Sequence, residues 1–203
     1  MSSLRDTTLG AYLDDVSSST PTPGGGSATA LVGALAASLG AMVAALGRAA
    51  ASESSFDAWA SSCQSHRDHL LQLCIDDERA FQDVMACLRR PKDDPTRTSR
   101  LQSCLKAAAD VPLATARVCL DVLRTLEPMT SQASRHSVSD VGVAAHLSLA
   151  AIRASVLTIE VNRAAMTDAD AATQLAEAAE RVQTEAAEAC QRIADLVLSR
   201  IRK

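Results

Sequence analysis

Residues 27–47 (SATALVGALAASLGAMVAALG) carry no charged side chain, and a stretch of that length and composition folds into little other than a helix that something else covers. It is long enough to cross a hydrocarbon layer of about 30 Å. Its content is mostly Ala, Ser and Gly, however, and no Trp, Tyr or basic cluster marks both ends as an interface would require. The expectation is a helix buried on all sides of a soluble bundle, with no membrane span. Gly33, Ala37, Ala41 and Ala45 recur every four residues along it. Such a stripe lets another backbone approach closely, which predicts a central position for this helix.

The remainder of the chain carries helical periodicity and no convincing alternating strand. Eight Gly and six Pro in 203 residues are too few for the many tight turns of an all-β chain. Predicted helices cover 4–16 (Leu9, Tyr12, Leu13 and Val16 on one face), 27–47 with Ser27 as cap, 56–88, 97–126, 139–165 and 168–203. Pro112 kinks or splits the fourth, and Ser139 and Thr167 or Asp168 cap the fifth and sixth. The segments 17–26 (SSSTPTPGGG), 89–95 and 127–137 read as connections. With no composition shift and no repeat, the expectation is one all-α domain over 1–203 of about six helices.

The net charge of -4 excludes the excess of Lys and Arg that non-specific nucleic-acid binding needs, and 2% aromatic residues leave no stacking platform for bases. Six cysteines (63, 74, 87, 104, 119, 190) show no CxxC spacing and read as reduced thiols packed in a cytoplasmic protein. The N-terminal stretch lacks the basic start and apolar run of a signal peptide. His66, His69, His136 and His146 form no metal-ligand spacing, so no metal is expected.

Three segments could carry chemistry. Pro23, Gly24, Gly25, Gly26 and Ser27 feed directly into the uncharged helix. Consecutive glycines let backbone approach a ligand and free amides at a helix start attract anions, although a plain turn has the same composition. Asp77, within AspAspGlu (76–78), lies three residues after Cys74 and four before Phe81, at the edge of the apolar stripe. A carboxylate there either joins a solvated face or has a raised pKa and serves as an acid/base group. Ser139 and Asp140 suit a helix cap and first turn, or a ligand. Asn162, among Ile159, Val161 and Ala165, needs hydrogen-bond partners that are structural or a ligand.

Taken in order, these elements resemble one family. The order Leu13, SerSerThrProThrProGlyGlyGlySerAla, MetValAlaAlaLeuGly (42–47), Asp77 to Phe81, ProLys (91–92), Arg100, SerAspValGlyValAlaAla (139–145), Asn162 and Asp168 is similar to the cyclodeaminase domain of formiminotransferase-cyclodeaminases and to stand-alone methenyltetrahydrofolate cyclohydrolases. The resemblance spans nearly the whole chain, and PTPGGGS is its most specific part. It implies an all-α up-and-down helical bundle that forms a homodimer, and a tetrahydrofolate derivative as substrate, with no prosthetic group. It also implies Asp77 as general acid/base, and Pro23, Gly24, Gly25, Gly26, Ser27, Arg48, Lys92, Ser139, Asp140 and Asn162 as substrate-binding residues. Relatives carry further basic residues after Gly47, where this chain has Arg48 and then alanines. Two other readings stand beside the folate one. One is an enzyme of the same scaffold acting on a different cyclic imine or amidine-like small molecule; the other is a non-catalytic helical dimer module.

Overall fold

The computed structural model describes residues 4–50 and 54–202. A 3-10 turn (Leu4–Asp6) is followed by α1 (Leu9–Val16), α2 (Gly25–Ala50), α3 (Ser54–Leu88), α4 (Arg97–Gln132), α5 (Val138–Arg163) and α6 (Ala169–Ile201). No strand occurs among the described residues, in agreement with the all-α expectation. The predicted end of the last helix at Lys203 and the alanine-rich stretch after Arg48 fall in part outside the described residues.

The boundaries follow local chemistry. Thr8 caps α1, its Oγ1 accepting from the Ala11 amide at 3.2 Å, and this cap separates α1 from the 3-10 turn that the periodicity had joined to it. α2 begins at Gly25, so two of the three glycines are helical and none has a positive φ. Ser27, expected as the cap, lies inside the first turn and is fully buried. α4 passes through Pro112 and Pro128 to Gln132 without splitting. Its C-terminal end is held by the Arg200 guanidinium, which donates to the carbonyls of Thr130 and, at 2.7 Å, Ala133. α5 is capped at Ser137, not Ser139; the Ser137 amide and hydroxyl both meet Ser134 Oγ. Asp168 caps α6, accepting from the Ala171 amide at 3.0 Å.

α2 packs against α3, α4 and α5, and α4 packs against α2, α3, α5 and α6, so the centre is shared between α2 and α4. The small-residue stripe is buried at Gly33 and Ala37 but runs out to a half-buried Ala41 and an exposed Ala45. The groups that come close to α2 are side chains, at Gly33 within the stripe and at Gly40 outside it. A Cβ on Gly33 would sit 2.6 Å from Cys119 Sγ, and one on Gly40 would sit 2.8 Å from Cys63 Sγ. One face of α2 departs from the expectation of burial on all sides, because Leu35, Met42 and Leu46 are 52%, 41% and 51% exposed. α5 leaves Val143, Leu157 and Val161 exposed in the same way. Both helices are long and apolar enough to cross a membrane, and 50% and 44% of their apolar windows are buried in the bundle. A satellite core of Ala109, Leu113, Ile159, Leu175, Ala178 and Ala179 joins α4, α5 and α6.

Candidate functional site

The N-terminus of α2, the C-terminal third of α3 and the C-terminal half of α5 converge on a cavity of about 530 Å³. Gly24, Gly25, Gly26, Asp77 and Asn162 line it together, so five of the residues singled out in the sequence share one wall system. Phe81, Val84 and Met85 of α3, Leu105 of α4 and Leu157 and Val161 of α5 make the rest largely apolar. An apolar slot with a few convergent polar groups is the usual form of a small-molecule site.

The glycines act differently from one another. A Cβ on Gly26 would stand 2.0 Å from Asp77 Oδ1, so the absence of a side chain is what lets the carboxylate lie against the α2 backbone. A Cβ on Gly25 would meet nothing within 4 Å, which leaves its face open to the cavity. The Ser27 amide hydrogen-bonds Asp77 and pulls its pKa down, but burial outweighs that bond and, with the Glu78 charge beside it, holds the Asp77 carboxyl above the usual range. A half-buried carboxyl with a raised pKa is suited to accept and return a proton.

Behind Asp77 lies a polar cluster that the sequence reading missed. Tyr12 Oη and Ser27 Oγ are 3.0 Å apart, and Ser27 Oγ donates to Glu78 Oε1 at 3.1 Å. Burial raises the pKa of Tyr12 and pushes the Cys74 thiol up to about 12, which keeps both protonated. Ser27 therefore points away from the cavity into this cluster. Pro23 lines a smaller cavity of about 230 Å³ with Tyr12 and Glu78, on the far side of the same wall. Glu78 follows Asp77 by one residue, a rotation of about 100° on a helix, so the acidic run was itself the signal that two carboxylates face two ways.

Asn162 has a structural partner. Pro112 has no N–H, so the Ala108 carbonyl one turn earlier lacks its helical donor. Asn162 Nδ2 supplies one at 3.1 Å and also reaches Thr158 O at 3.1 Å. Those bonds commit the amide nitrogen and leave Oδ1 as its remaining acceptor.

The other expected substrate-binding residues stand elsewhere. Arg48 is on the last turn of α2, roughly 33 Å along the helix from Gly26 at its rise of about 1.5 Å per residue. There it pairs with Asp57 at 3.1 Å in solvent. Ser139 and Asp140 open α5, equally far from Asn162 near its other end. Lys92 is exposed on the α3–α4 connection and does not line the cavity. Within one chain helix length keeps Arg48, Ser139 and Asp140 from a ligand in the cavity, whereas Lys92 follows the cavity-lining Leu88 by four residues without itself lining the cavity. Among the described residues no Lys or Arg lines the cavity, and no three His, Cys, Asp or Glu converge as a metal-ligand set.

The chain is similar over its length to two enzymes of named activity. It is 32% identical over 202 residues to the methenyltetrahydrofolate cyclohydrolase of Methylorubrum extorquens, covering 96% of this chain and 97% of that one. Its fold superposes on the crystal structure of formiminotetrahydrofolate cyclodeaminase from Thermotoga maritima with a TM-score of 0.88 and 25% identity, over 96% of this chain and 98% of that one. A sequence profile described as formiminotransferase-cyclodeaminase matches residues 8–181. With the glycine-started helix, the carboxylate against it and the helical bundle behind them, this places the chain in the formiminotransferase-cyclodeaminase family of enzymes.

Proposed function

We propose that the protein is a folate one-carbon enzyme of the cyclohydrolase type, acting on the 5,10-methenyl bridge of tetrahydrofolate with Asp77 as the proton-transfer group. The observation that carries this reading is the Asp77 carboxyl, half-buried against Gly26 at the mouth of an apolar cavity sized for a heterocycle. The bridge carbon is cationic. Asp77 removes a proton as water adds to that carbon, then returns it to N5 as the C–N5 bond breaks. The hydroxyl proton leaves to solvent as the formyl C=O forms, and the product is 10-formyltetrahydrofolate. The same group serves the cyclodeaminase direction, in which N10 closes on the formimino carbon and ammonia leaves. Gly24, Gly25 and Gly26 offer backbone to the ligand, and Asn162 Oδ1 is positioned to orient the pterin.

A single domain over the whole chain carries this activity, in a soluble, cytoplasmic homodimer. The exposed apolar faces of α2 (Leu35, Met42, Leu46) and α5 (Val143, Leu157, Val161) support the dimer, since a second copy would remove both from water. Gly24–Gly26 and Asn162 meet at one end of the pair, so α2 and α5 run antiparallel within the chain. A two-fold pairing across them sets the Arg48, Ser139 and Asp140 end of one copy toward the glycine end of the other. That arrangement gives those residues a route to the substrate, and Arg48 a route to its glutamate tail.

Loss of the near-ultraviolet absorbance of 5,10-methenyltetrahydrofolate on mixing with the purified protein tests the activity. Acceleration over buffer is expected; no acceleration, with no heat of binding, removes the folate reading. The specific observation that favours a second reading, an imine or amidine of another small molecule, is the lack of Lys or Arg among the described cavity residues. Light scattering at micromolar concentration tests the dimer, and a monomer would remove that part alone.

A further inference from the structure

Cys87, on the last turn of α3, and Cys104, in the second turn of α4, bring their sulfurs to 3.0 Å across the hairpin formed by the two helices. Cys63, Cys74, Cys119 and Cys190 are free thiols buried in the bundle. Cys87 is buried and Cys104 is half-buried. A groove of about 420 Å³, lined by both cysteines with Asp83, Arg90, Arg100 and Ser103, leads to them from solvent. Arg90 is engaged by Asp94 at 2.6 Å, while Arg100 lies exposed and favours the charged form of Cys104. The groove therefore offers one accessible sulfur, a second directly behind it and a cation beside the first.

We propose that Cys87 and Cys104 form a thiol–disulfide modification site, oxidised by a small anionic disulfide of the glutathione type and closing to a covalent bond between α3 and α4. Cys104 Sγ, its proton lost to solvent, attacks one sulfur of the oxidant and expels the other as a thiolate, leaving a mixed disulfide. Cys87 Sγ, deprotonated in turn, attacks Cys104 Sγ and expels the second small thiol. Two protein thiols are oxidised, one disulfide is reduced to two thiols, and no other electron carrier is needed. Cys104 attacks first because it is the more exposed of the two.

Neither cysteine lines the 530 Å³ cavity, but their chain neighbours do. Val84, Met85 and Leu88 flank Cys87, and Leu105 and Ala108 follow Cys104. Closing the bond fixes the α3–α4 wall of that cavity, so the modification sits where it stiffens the candidate site without occupying it. The proton shared with Cys87, together with burial and the Asp83 charge, outweighs Arg100 and pushes Cys104 up to about 11. Formation is accordingly slow at neutral pH and quickens as pH rises, and the bond suits a sustained oxidising condition better than a rapid signal.

The test is to incubate the protein with glutathione disulfide at mildly alkaline pH, quench with acid, alkylate the denatured chain and map the peptides. The expected result is loss of two alkylatable thiols, with a peptide joining Cys87 to Cys104. A melting temperature roughly 5–10 °C higher should accompany it, reversed by dithiothreitol. Cys87→Ser should instead hold a stable glutathione adduct on Cys104, and Cys104→Ser should keep Cys87 unmodified. A wild-type chain that retains all six thiols, links another pair or stops at the adduct overturns the proposal. The wild-type map decides this whether or not either variant folds, and it is independent of the folate reading.

Discussion

The two ends of α2 use glycine for the same geometric purpose and obtain different results. At Gly26 a Cβ would collide with the Asp77 carboxylate; at Gly47 it would stand 2.2 Å from the Phe56 ring. Phe56 is almost fully buried and meets Trp59 edge-on at 5.3 Å, so the Gly47 end is a sealed apolar contact. Asp77 faces a cavity, carries a raised pKa and has only the Ser27 amide and the α2 start to stabilise its charge. Close approach to a helix backbone is thus a packing device in both places, and it becomes a candidate site only where the approaching group can titrate beside open space.

Asp77→Asn is the largest expected effect. Turnover should fall by about 10²–10⁴, the usual contribution of an acid/base group, with the helical fold retained by circular dichroism. The same variant has a stability signature. Because the folded-state pKa of Asp77 is raised, its contribution to stability is full below the ordinary carboxylate pKa of 3.8 and is lost as pH rises through the folded value. Asp77→Asn should therefore melt no earlier than the parent at neutral pH, and any advantage should vanish in acid. A variant that keeps parental turnover would make the Gly26 end as purely structural as the Gly47 end.

Gly25→Val comes next. Its Cβ enters open space, so ligand affinity should collapse while the melting temperature drops only modestly. Normal affinity with early melting would show that the segment is only a helix start. The paired alanine variants sharpen the contrast. Gly26→Ala should displace Asp77 and lower turnover at least tenfold, with stability close to the parent, because alanine also favours the helix by about 0.5–1 kcal/mol. Gly47→Ala should destabilise by about 1–3 kcal/mol through overpacking against Phe56, with activity falling only with the folded fraction. Equal losses of activity in the two, measured with melting curves on the same samples, would break the comparison.

The smallest effect on stability is expected for Arg48→Ala. Its pair with Asp57 lies in solvent, with the two side chains 64% and 61% exposed, and such pairs contribute about 0–1 kcal/mol. If two copies share their ends, this variant should raise KM for polyglutamylated folate with kcat and melting temperature nearly unchanged. An unchanged KM would confine Arg48 to the Gly47 end of its own chain.

Much of the bundle was legible because residues 27–47 carry no charge and are mostly small, a composition that suits a helix covered by its neighbours. Misplaced boundaries trace to atoms the pattern does not display. Ser27 has the composition of a cap, but Gly25 can already be helical and Tyr12 and Glu78 claim the serine hydroxyl inside the bundle. Pro112 suggests a break, but a side chain fifty residues later replaces the missing donor. Of the candidate site, Gly24, Gly25, Gly26, Asp77 and Asn162 converge because each lies near the same end of its helix bundle. Arg48, Ser139 and Asp140 do not, because sequence order records which residues belong to a motif and not which end of a long helix each one occupies.

The bond from Asn162 to Ala108 also makes the cavity sensitive to a residue that never touches it. Replacing Pro112 with Ala would restore a backbone donor that competes for the Ala108 carbonyl and releases the Asn162 amide to turn toward a ligand. The two positions should then be non-additive. Asn162→Leu alone strands a buried carbonyl and should cost about 1–3 kcal/mol, whereas in the Pro112→Ala background much of that loss should disappear. The orientation of a candidate ligand-binding amide is in this sense set by a hydrogen atom that the neighbouring helix lacks.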